Sequence, residues 1–278
     1  MKNNTKIAIL LASYNGEKFI AEQIESIIGQ TYRNWTLFIN DDGSTDSTLR
    51  IIEDYSKKYP DKIININYPI KKLGSSANFY KLLESVDSDY YMYCDQDDYW
   101  LPDKIEKCMQ RMDEQQLILS NAPLIVHSDL KVVDNDLKLL HPSFHGFTKV
   151  KPNKFATFNY LGVMNCVTGC TMLFNHAARQ LPLQNEETNA WHDWWMALLV
   201  ARDGKIAYID EATILYRQHD KNVLGAKEVN LNYFIHVFLT LKDTLKIDRN
   251  NYRNLKKLNY GSVFKYFFYK MMFQIRRY

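Results

Sequence analysis

Asp95, Asp97 and Asp98 are crowded into one short stretch, Tyr90-Tyr91-Met92-Tyr93-Cys94-Asp95-Gln96-Asp97-Asp98-Tyr99-Trp100. Carboxylates this close repel one another unless positive charge sits among them. Their oxygens suit hard divalent cations, and Mg2+ commonly completes its shell with substrate phosphates. The aromatic run ahead of them has the composition of a half-buried strand. The chemistry predicted is a metal–phosphate site that a strand delivers to the carboxyl edge of a sheet. The competing reading is a solvated acidic turn before a helix, because Asp is a favoured turn residue.

Two more polar clusters end apolar runs: Ser13-Tyr14-Asn15-Gly16 and Asp41-Asp42-Gly43-Ser44. Residues 6–12 are nearly all apolar and read as a buried strand. Ile20, Ile24, Ile27 and Ile28 then recur at helical spacing. Residues 35–40 form a second strand. Ser44-Thr45-Asp46-Ser47 offers N-caps for a helix carrying Leu49, Ile52 and Tyr55. Residues 63–68 make a third strand, and Gly74-Ser75-Ser76 opens a helix with Phe79, Leu82, Leu83 and Val86. This alternation predicts an α/β fold, a doubly wound, mostly parallel sheet with helices on both faces. Ligands of such sheets lie beyond the carboxyl ends of the strands, where all three polar clusters fall. No Gly-x-Gly-x-x-Gly follows the first strand and no Gly-Lys-Ser/Thr loop exists, so a nucleotide would be bound in neither of those manners.

Downstream, Pro102 suits the first position of a helix reaching towards Gln115, with Ile105, Cys108, Met109 and Met112 on one face. Residues 122–129 read as a strand, followed by Val132-Val133-Asp134. Residues 141–158 show no period and read as a long connection. Residues 167–174 are apolar and β-branched, with Gly169 at a turn or a close approach. His192-Asp193-Trp194-Trp195 opens an apolar helix closed by Gly204. Residues 206–209 and 213–216 read as two strands, the second leading to Arg217-Gln218-His219.

At 278 residues the chain fits one large domain, or one domain with an appendage. The net charge of +3 conceals an asymmetry. Residues 241–278 hold ten Lys or Arg against Asp243 and Asp248, a balance of +8 that leaves −5 on everything before. A basic end of this kind wants an anionic partner. Phe234, Ile235, Phe238, Leu239 and Leu241 share one helix-like face. Residues 263–278 interleave aromatic residues and Met with Lys265, Lys270, Arg276 and Arg277, the composition of an interfacial helix on anionic lipid. The alternative is a helix packed on the body with its basic face in water. Four Cys without a staple or zinc pattern suggest reduced thiols in a cytosolic protein. The polar residues 1–5 read as no signal peptide, and no apolar run approaches the ~20 residues of a membrane span.

In this order the signals resemble the family-2 glycosyltransferases of the GT-A fold. The matching pieces are Ala12-Ser13-Tyr14-Asn15-Gly16, Asp41-Asp42-Gly43-Ser44-Thr45-Asp46, Asp95-Gln96-Asp97-Asp98, His192-Asp193-Trp194-Trp195 and Tyr216-Arg217-Gln218-His219. Asp95 to Lys104 and Tyr216 to Asn222 most resemble bacterial rhamnosyltransferase-type members. The resemblance implies a catalytic domain over residues 1–225 and a helical, basic-aromatic region over 226–278. It implies nucleotide contacts from Ser13, Tyr14, Asn15, Asp41, Asp42, Asp95 and Gln96, with Arg217 facing the diphosphate. It also implies Mn2+ or Mg2+ on Asp97, with His219 as a further ligand or a phosphate contact, and Asp193 as general base. The family carries Glu-Asp or Asp-Asp where this chain has His192-Asp193, which puts the acidic neighbour of the base in doubt.

The implied reaction is inverting transfer of a sugar from a nucleotide donor, dTDP-rhamnose or a UDP-sugar, to a glycan or lipid-linked oligosaccharide acceptor in cell-surface polysaccharide synthesis. The implied place is cytoplasmic, peripheral on the inner membrane face; nucleic acid is not among the expected partners. Bland readings compete: Asp193 as a helix cap, His219 as a loop histidine, Arg217 as a structural ion pair, and Trp100, Trp194 and Trp195 as core. Two other functions compete as well, a nucleotidyltransferase that makes sugar nucleotides and a non-catalytic binding module. The first would want a Gly-rich basic loop after the first strand, which is absent. The pairing of Asp97 with Asp193 argues against the second.

Overall fold

The computed structural model describes residues 5–66, 68, 72–185, 190–219 and 241–277. Its centre is a nine-stranded mixed sheet. Four parallel strands form one half: β1 (Ile7–Ser13), β2 (Trp35–Asp41), β3 (Ile63–Asn65) and β4 (Tyr90–Asp95). The full order runs β3-β2-β1-β4-β8-β6-β9-β5. Here β5 is Tyr99–Trp100, β6 Leu124–Val133, β8 Leu173–Asn175 and β9 Lys205–Arg217. A short β7 (Leu139–His141) pairs with the outer end of β6. Strand β8 is antiparallel to both neighbours, and β5 is antiparallel to β9, so the doubly wound half is parallel and the rest is mixed. Chain order reverses between β1 and β4, which makes the crevice above them the topological switch point.

Alternation along the central strands divides the interior in two. Ala8, Leu10, Tyr91 and Tyr93 face one core, while Ile7, Ile9, Leu11, Met92 and Cys94 face the other. Strands buried on both faces read as continuous apolar runs, as β1 does. The second core is closed by α1 (Ile20–Ile28) and α4 (Lys104–Ile118); Ile20, Ile24 and Ile27 of α1 are fully buried. The first is closed by α3 (Ser75–Ser85) and α9 (His192–Asp203), whose residues 194–200 are all buried. Between β2 and β3 lies α2 (Thr48–Lys58).

Several expectations shift. The strand expected over 122–129 continues through Val133. The two strands expected over 206–216 are one, β9, because irregular pairing with β6 around Asp129 absorbs the polar Asp210 and Glu211 without breaking the ladder. Residues 167–174 are mostly not strand. Thr171 bonds back to the Thr168 carbonyl through both its N–H and its hydroxyl, forming a 3-10 turn at Gly169–Thr171 before the short β8. The long connection contains α5 (Phe144–Thr148), α6 (Pro152–Phe155) and α7 (Phe158–Leu161). Between β8 and α9 lies α8 (His176–Gln184). Pro102 stands outside α4, its carbonyl accepting the Thr31 N–H at 2.8 Å. All four Cys are buried and unpaired.

Among its described residues the tail forms the helices Leu241–Lys257 and Val263–Arg277. The expected face carrying Phe234, Ile235, Phe238 and Leu239 lies outside the described residues, as does Asn222. Leu255, Leu258, Tyr260, Tyr266 and Phe273 belong to the same core as Phe155 and Trp194. Tyr260 abuts Gly162, where a Cβ would sit 2.4 Å from its ring. Asn159 donates to the Tyr269 hydroxyl at 3.0 Å, and Arg277 Nε donates to the Thr148 carbonyl at 2.9 Å. Phe273→Ala is therefore expected to cost about 3–5 kcal/mol. Denaturant unfolding should show a single transition, shifted as a whole; a separate early transition for the tail would make it an independent unit.

Candidate active site

Register places the predicted residues side by side. Ser13 pairs with Asp41 across β1 and β2, and Ala12 pairs with Asp95 across β1 and β4. Ser13 Oγ donates to Asp41 Oδ2 at 2.8 Å, and the Ser44 N–H donates to Asp41 Oδ1 at 2.7 Å. Both oxygens of Asp42 accept backbone donors, from Leu73 at 2.5 Å and Gly74 at 2.7 Å. Asn15, at φ 47°, accepts the Thr45 N–H at 2.8 Å. Gln96 clamps Tyr14 with two bonds, accepting its N–H at 2.9 Å and donating to its carbonyl at 3.0 Å. A Cβ at Gly16 would sit 2.2 Å from the Gln96 side chain, so glycine lets this clamp close. The loops after β1, β2 and β4 are thus one hydrogen-bonded rim. Tyr14 shows 38% of its surface above it, with Lys72 Nζ 3.8 Å from the centre of its ring. Sequence reasoning did not single out Lys72.

The acidic loop is the electrostatic centre. Desolvation, then the Asp97 and Asp193 charges, push Asp95 up to about 7. Asp98 is fully buried, and burial with the neighbouring Asp97 and Asp95 charges holds its carboxyl well above the usual range. Its Oδ1 accepts the Arg217 N–H at 3.3 Å, and Cys170 lies beside it. Asp97 Oδ2 meets His219 Nε2 at 2.8 Å, so the two expected ligands converge. A carboxylate set with one imidazole fits a hard divalent cation. Cys170 lies with Asp95 and Asp98, their donor atoms within 4.8 Å of one another, but burial pushes its thiol up and keeps it neutral.

Arg217, expected to face the diphosphate, has another task. It is 2% exposed. Its Nε donates to the Asp97 carbonyl at 2.9 Å, and its other nitrogens bond the Asn135 carbonyl and the Glu22 carboxylate. The guanidinium lies 4.6 Å from the Phe19 ring centre, and the His219 ring stacks on the same phenyl at 4.9 Å. A buried fork must spend its donors on fixed acceptors, so Arg217 straps the acidic loop to α1 and β9.

Asp193 stands in the first turn of α9, after the N-cap residue Trp191. Its Oδ1 accepts the Trp194 N–H at 2.6 Å; its Oδ2 accepts the Gly169 N–H at 3.2 Å and Asn165 Nδ2 at 3.4 Å. Desolvation lifts its pKa to about 6 against those donors. Gly169 is the close approach expected from sequence, since a Cβ there would lie 3.2 Å from Asp193 Cβ. His192 points elsewhere, stacked on Phe79 at 4.0 Å in the core and pushed down to about 3 by burial. It supplies no acidic neighbour. Trp100, Trp194 and Trp195 are core residues, and Trp191, 42% exposed, is the accessible tryptophan. Asn165 and Trp191 gave no sequence signal, because neither sits in a periodic or clustered segment.

The chain is similar to known proteins in sequence and in fold. The model of the family described as glycosyl transferase family 2 matches residues 8–180. The dTDP-rhamnosyl transferase RfbG of Shigella flexneri is 32% identical over 228 residues, covering 78% of this chain and 74% of its own. Among solved structures, S. aureus TarS in complex with UDP-GlcNAc superposes with a TM-score of 0.59 at 18% identity, covering 84% of this chain and 64% of that one. A mannosyltransferase from Pyrobaculum calidifontis, in complex with GDP-Man and Mn2+, gives 0.57 at 13% identity over 79% of this chain and 59% of that one. These structural likenesses speak to the fold.

Arg217→Lys keeps the charge but loses the fork. Hydrogen bonds to charged groups contribute roughly 1.5–3 kcal/mol each, so if Asp97 is a metal ligand, as the family resemblance implies, Mn2+ affinity should fall about tenfold, ~1.4 kcal/mol, as Asp97 loosens. Calorimetric titration of Mn2+ checks this. Unchanged affinity would leave Arg217 a fold residue only.

Proposed function

We infer the reaction from kinship: this chain belongs to glycosyl transferase family 2 and is a glycosyltransferase that moves a sugar from a nucleotide-sugar donor. The finer reading is as follows. The donor is dTDP-rhamnose or a UDP-sugar, and the acceptor is a hydroxyl of a glycan or lipid-linked oligosaccharide destined for a cell-surface polysaccharide. Residues 1–225 carry the catalysis. The protein works on the cytoplasmic face of the membrane, held there by its basic C-terminal region. Among the described residues no helix is long and apolar enough to cross a membrane. The observation that supports the reading is geometric: the Asp97–His219 pair sits on the acidic loop, and the Gly169–Thr171 turn joins that loop to Asp193, with the Gly169 N–H donating to Asp193 and Cys170 lying beside Asp95 and Asp98.

Tyr14 and Asp41 hold the nucleotide base, and Asp95 the ribose side. Asp97 and His219 hold Mn2+ or Mg2+, which when bound neutralises the leaving diphosphate as a Lewis acid. Crowded carboxylates with Asp95 lifted to about 7 are what a divalent charge would relieve. Asp193 takes the proton from the acceptor hydroxyl as that oxygen attacks the anomeric carbon. The bond from that carbon to the diphosphate breaks, and its electron pair leaves with the nucleotide. One displacement with one base inverts the anomeric centre. The Gly169 N–H and Asn165 aim the Asp193 carboxylate, and partial burial lifts its basicity towards neutral pH, where a general base works best.

Asp97→Ala is expected to abolish the metal dependence of donor binding while leaving the thermal midpoint near wild type. Titrating a panel of sugar nucleotides with and without Mn2+ checks this, and metal dependence retained in the variant would sink the ligand assignment.

Asp193→Asn preserves the shape of the side chain and one of its two acceptor oxygens but takes no proton. Transfer should fall about 10²–10⁴-fold with donor affinity kept. In the wild type, Asp193 must be ionised to act and its pKa is raised, so kcat/KM should be full above pH about 6 and decline below it. A pH profile that is flat through that window, or a near wild-type rate in the variant, would remove Asp193 as the base.

A further inference from the structure

The last helix, Val263–Arg277, is docked by one face and bare on the other. Tyr266, Phe273 and Arg277 are buried against the body. On the opposite side Phe264 is 83% exposed, Phe268 51% and Ile275 63%, with Phe267 and Met271 also exposed between them. At about 3.6 residues per turn these five align in one stripe along the helix. The same geometry puts Lys265 and Arg276 along a flank of that stripe, where long basic side chains can reach past apolar surface to polar headgroups. Sequence alone set membrane contact against packing as alternatives. In the structure the helix packs with one face and still presents a continuous apolar one.

What covers the stripe is decided by charge. Residues 246–277 hold nine Lys or Arg against one Asp. That Asp248 is already neutralised, by Lys270 at 2.5 Å and the Tyr266 hydroxyl at 2.7 Å. Lys246, Arg249, Arg253 and Lys256 stand exposed on the preceding helix. A symmetric dimer through the stripe would press this basic patch against its own copy, and like charges juxtaposed oppose association. An anionic lipid surface offers the opposite charge and an apolar layer for the aromatic rings.

We propose that the stripe Phe264, Phe267, Phe268, Met271 and Ile275 is the membrane-binding surface of this protein, inserted into anionic lipid while the opposite helix face stays packed on the body. The proposal rests on the glycosyltransferase reading for its purpose and on the stripe alone for its mechanism. The chain from stripe to site is short. The helix packs on α6 and α7, through Phe273 on Phe155 at 4.9 Å and Arg276 on the Tyr160 hydroxyl at 2.9 Å. Trp194, beside Asp193, donates to the Leu161 carbonyl at the end of α7 at 2.6 Å. A docked stripe is thereby joined through packed contacts to the element that carries Asp193, and docking would raise the concentration of lipid-linked hydroxyls around the protein.

The test compares the full chain with the double variant Phe264→Ser, Phe268→Ser, whose side chains are exposed and whose thermal midpoint should not move. The probes are vesicles of phosphatidylglycerol with phosphatidylcholine, and of phosphatidylcholine alone. The wild type should sediment with the anionic vesicles, less so as salt rises, and the variant should partition at least tenfold more weakly. Equal sedimentation of the two proteins, or no binding by either, overturns the proposal. So does light scattering that finds a wild-type dimer and a monomeric variant. Transfer to a soluble acceptor is measured alongside. Transfer without vesicle binding sinks the docking surface and spares the transferase reading; vesicle binding without transfer under any donor does the reverse.

Discussion

Three carboxylates forced together just past the end of β4 are the constraint that the rest of the molecule answers. Left to themselves they would spread apart or take up protons, and burial with the charges of its neighbours pushes the Asp98 carboxyl well above the usual carboxylate range. The chain meets this cost with geometry. Gln96 ties the loop to the β1 rim, Arg217 ties it to α1 and to the end of β9, and His219 stands against Asp97. Phe19 backs both Arg217 and His219 with one ring. The loop is thereby held with its carboxylates crowded and their charges opposed, a state that positive charge among them would relieve.

The sheet distributes the remaining tasks. Its parallel half ends in the rim that faces the nucleotide side, and its mixed half brings β9 and the turn before β8 to the same edge. Gly169 is the point where the two halves meet Asp193, and a Cβ there would be tight, 3.2 Å from Asp193 Cβ. Its N–H and Asn165 set the direction of the carboxylate and α9 sets its depth.

Much of this was legible in the sequence for a definite reason. β1, β2 and β4 are apolar runs that stop abruptly at polar clusters, and such clusters at the ends of parallel strands must share an edge. The isoleucines of α1 gave its buried face directly. Asp97 and His219, far apart in sequence, met as the family resemblance implied. The task of Arg217 was not legible, because two of its partners are backbone carbonyls, at Asp97 and Asn135, and a carbonyl leaves no trace in side-chain identity. The short β8 was hidden for a related reason: its place between β4 and β6 depends on distant pairing and not on its own composition. His192 looked like a substitute for an acidic residue, yet α9 turns that position into the core.

The Arg217 strap also bears on how the protein comes into being. Its guanidinium reaches Glu22, 195 residues earlier, and Asp97, 120 residues earlier. Synthesis is vectorial, and N-terminal segments collapse first. The parallel half of the sheet can assemble while β9 is still to be made, but its acidic loop then lacks the buried guanidinium of Arg217 that fixes it. The nascent chain thus carries an unfinished, self-repelling loop until β9 leaves the ribosome, and the candidate site closes late. Premature release of a truncated product would yield a sheet that is largely built and a site that is not.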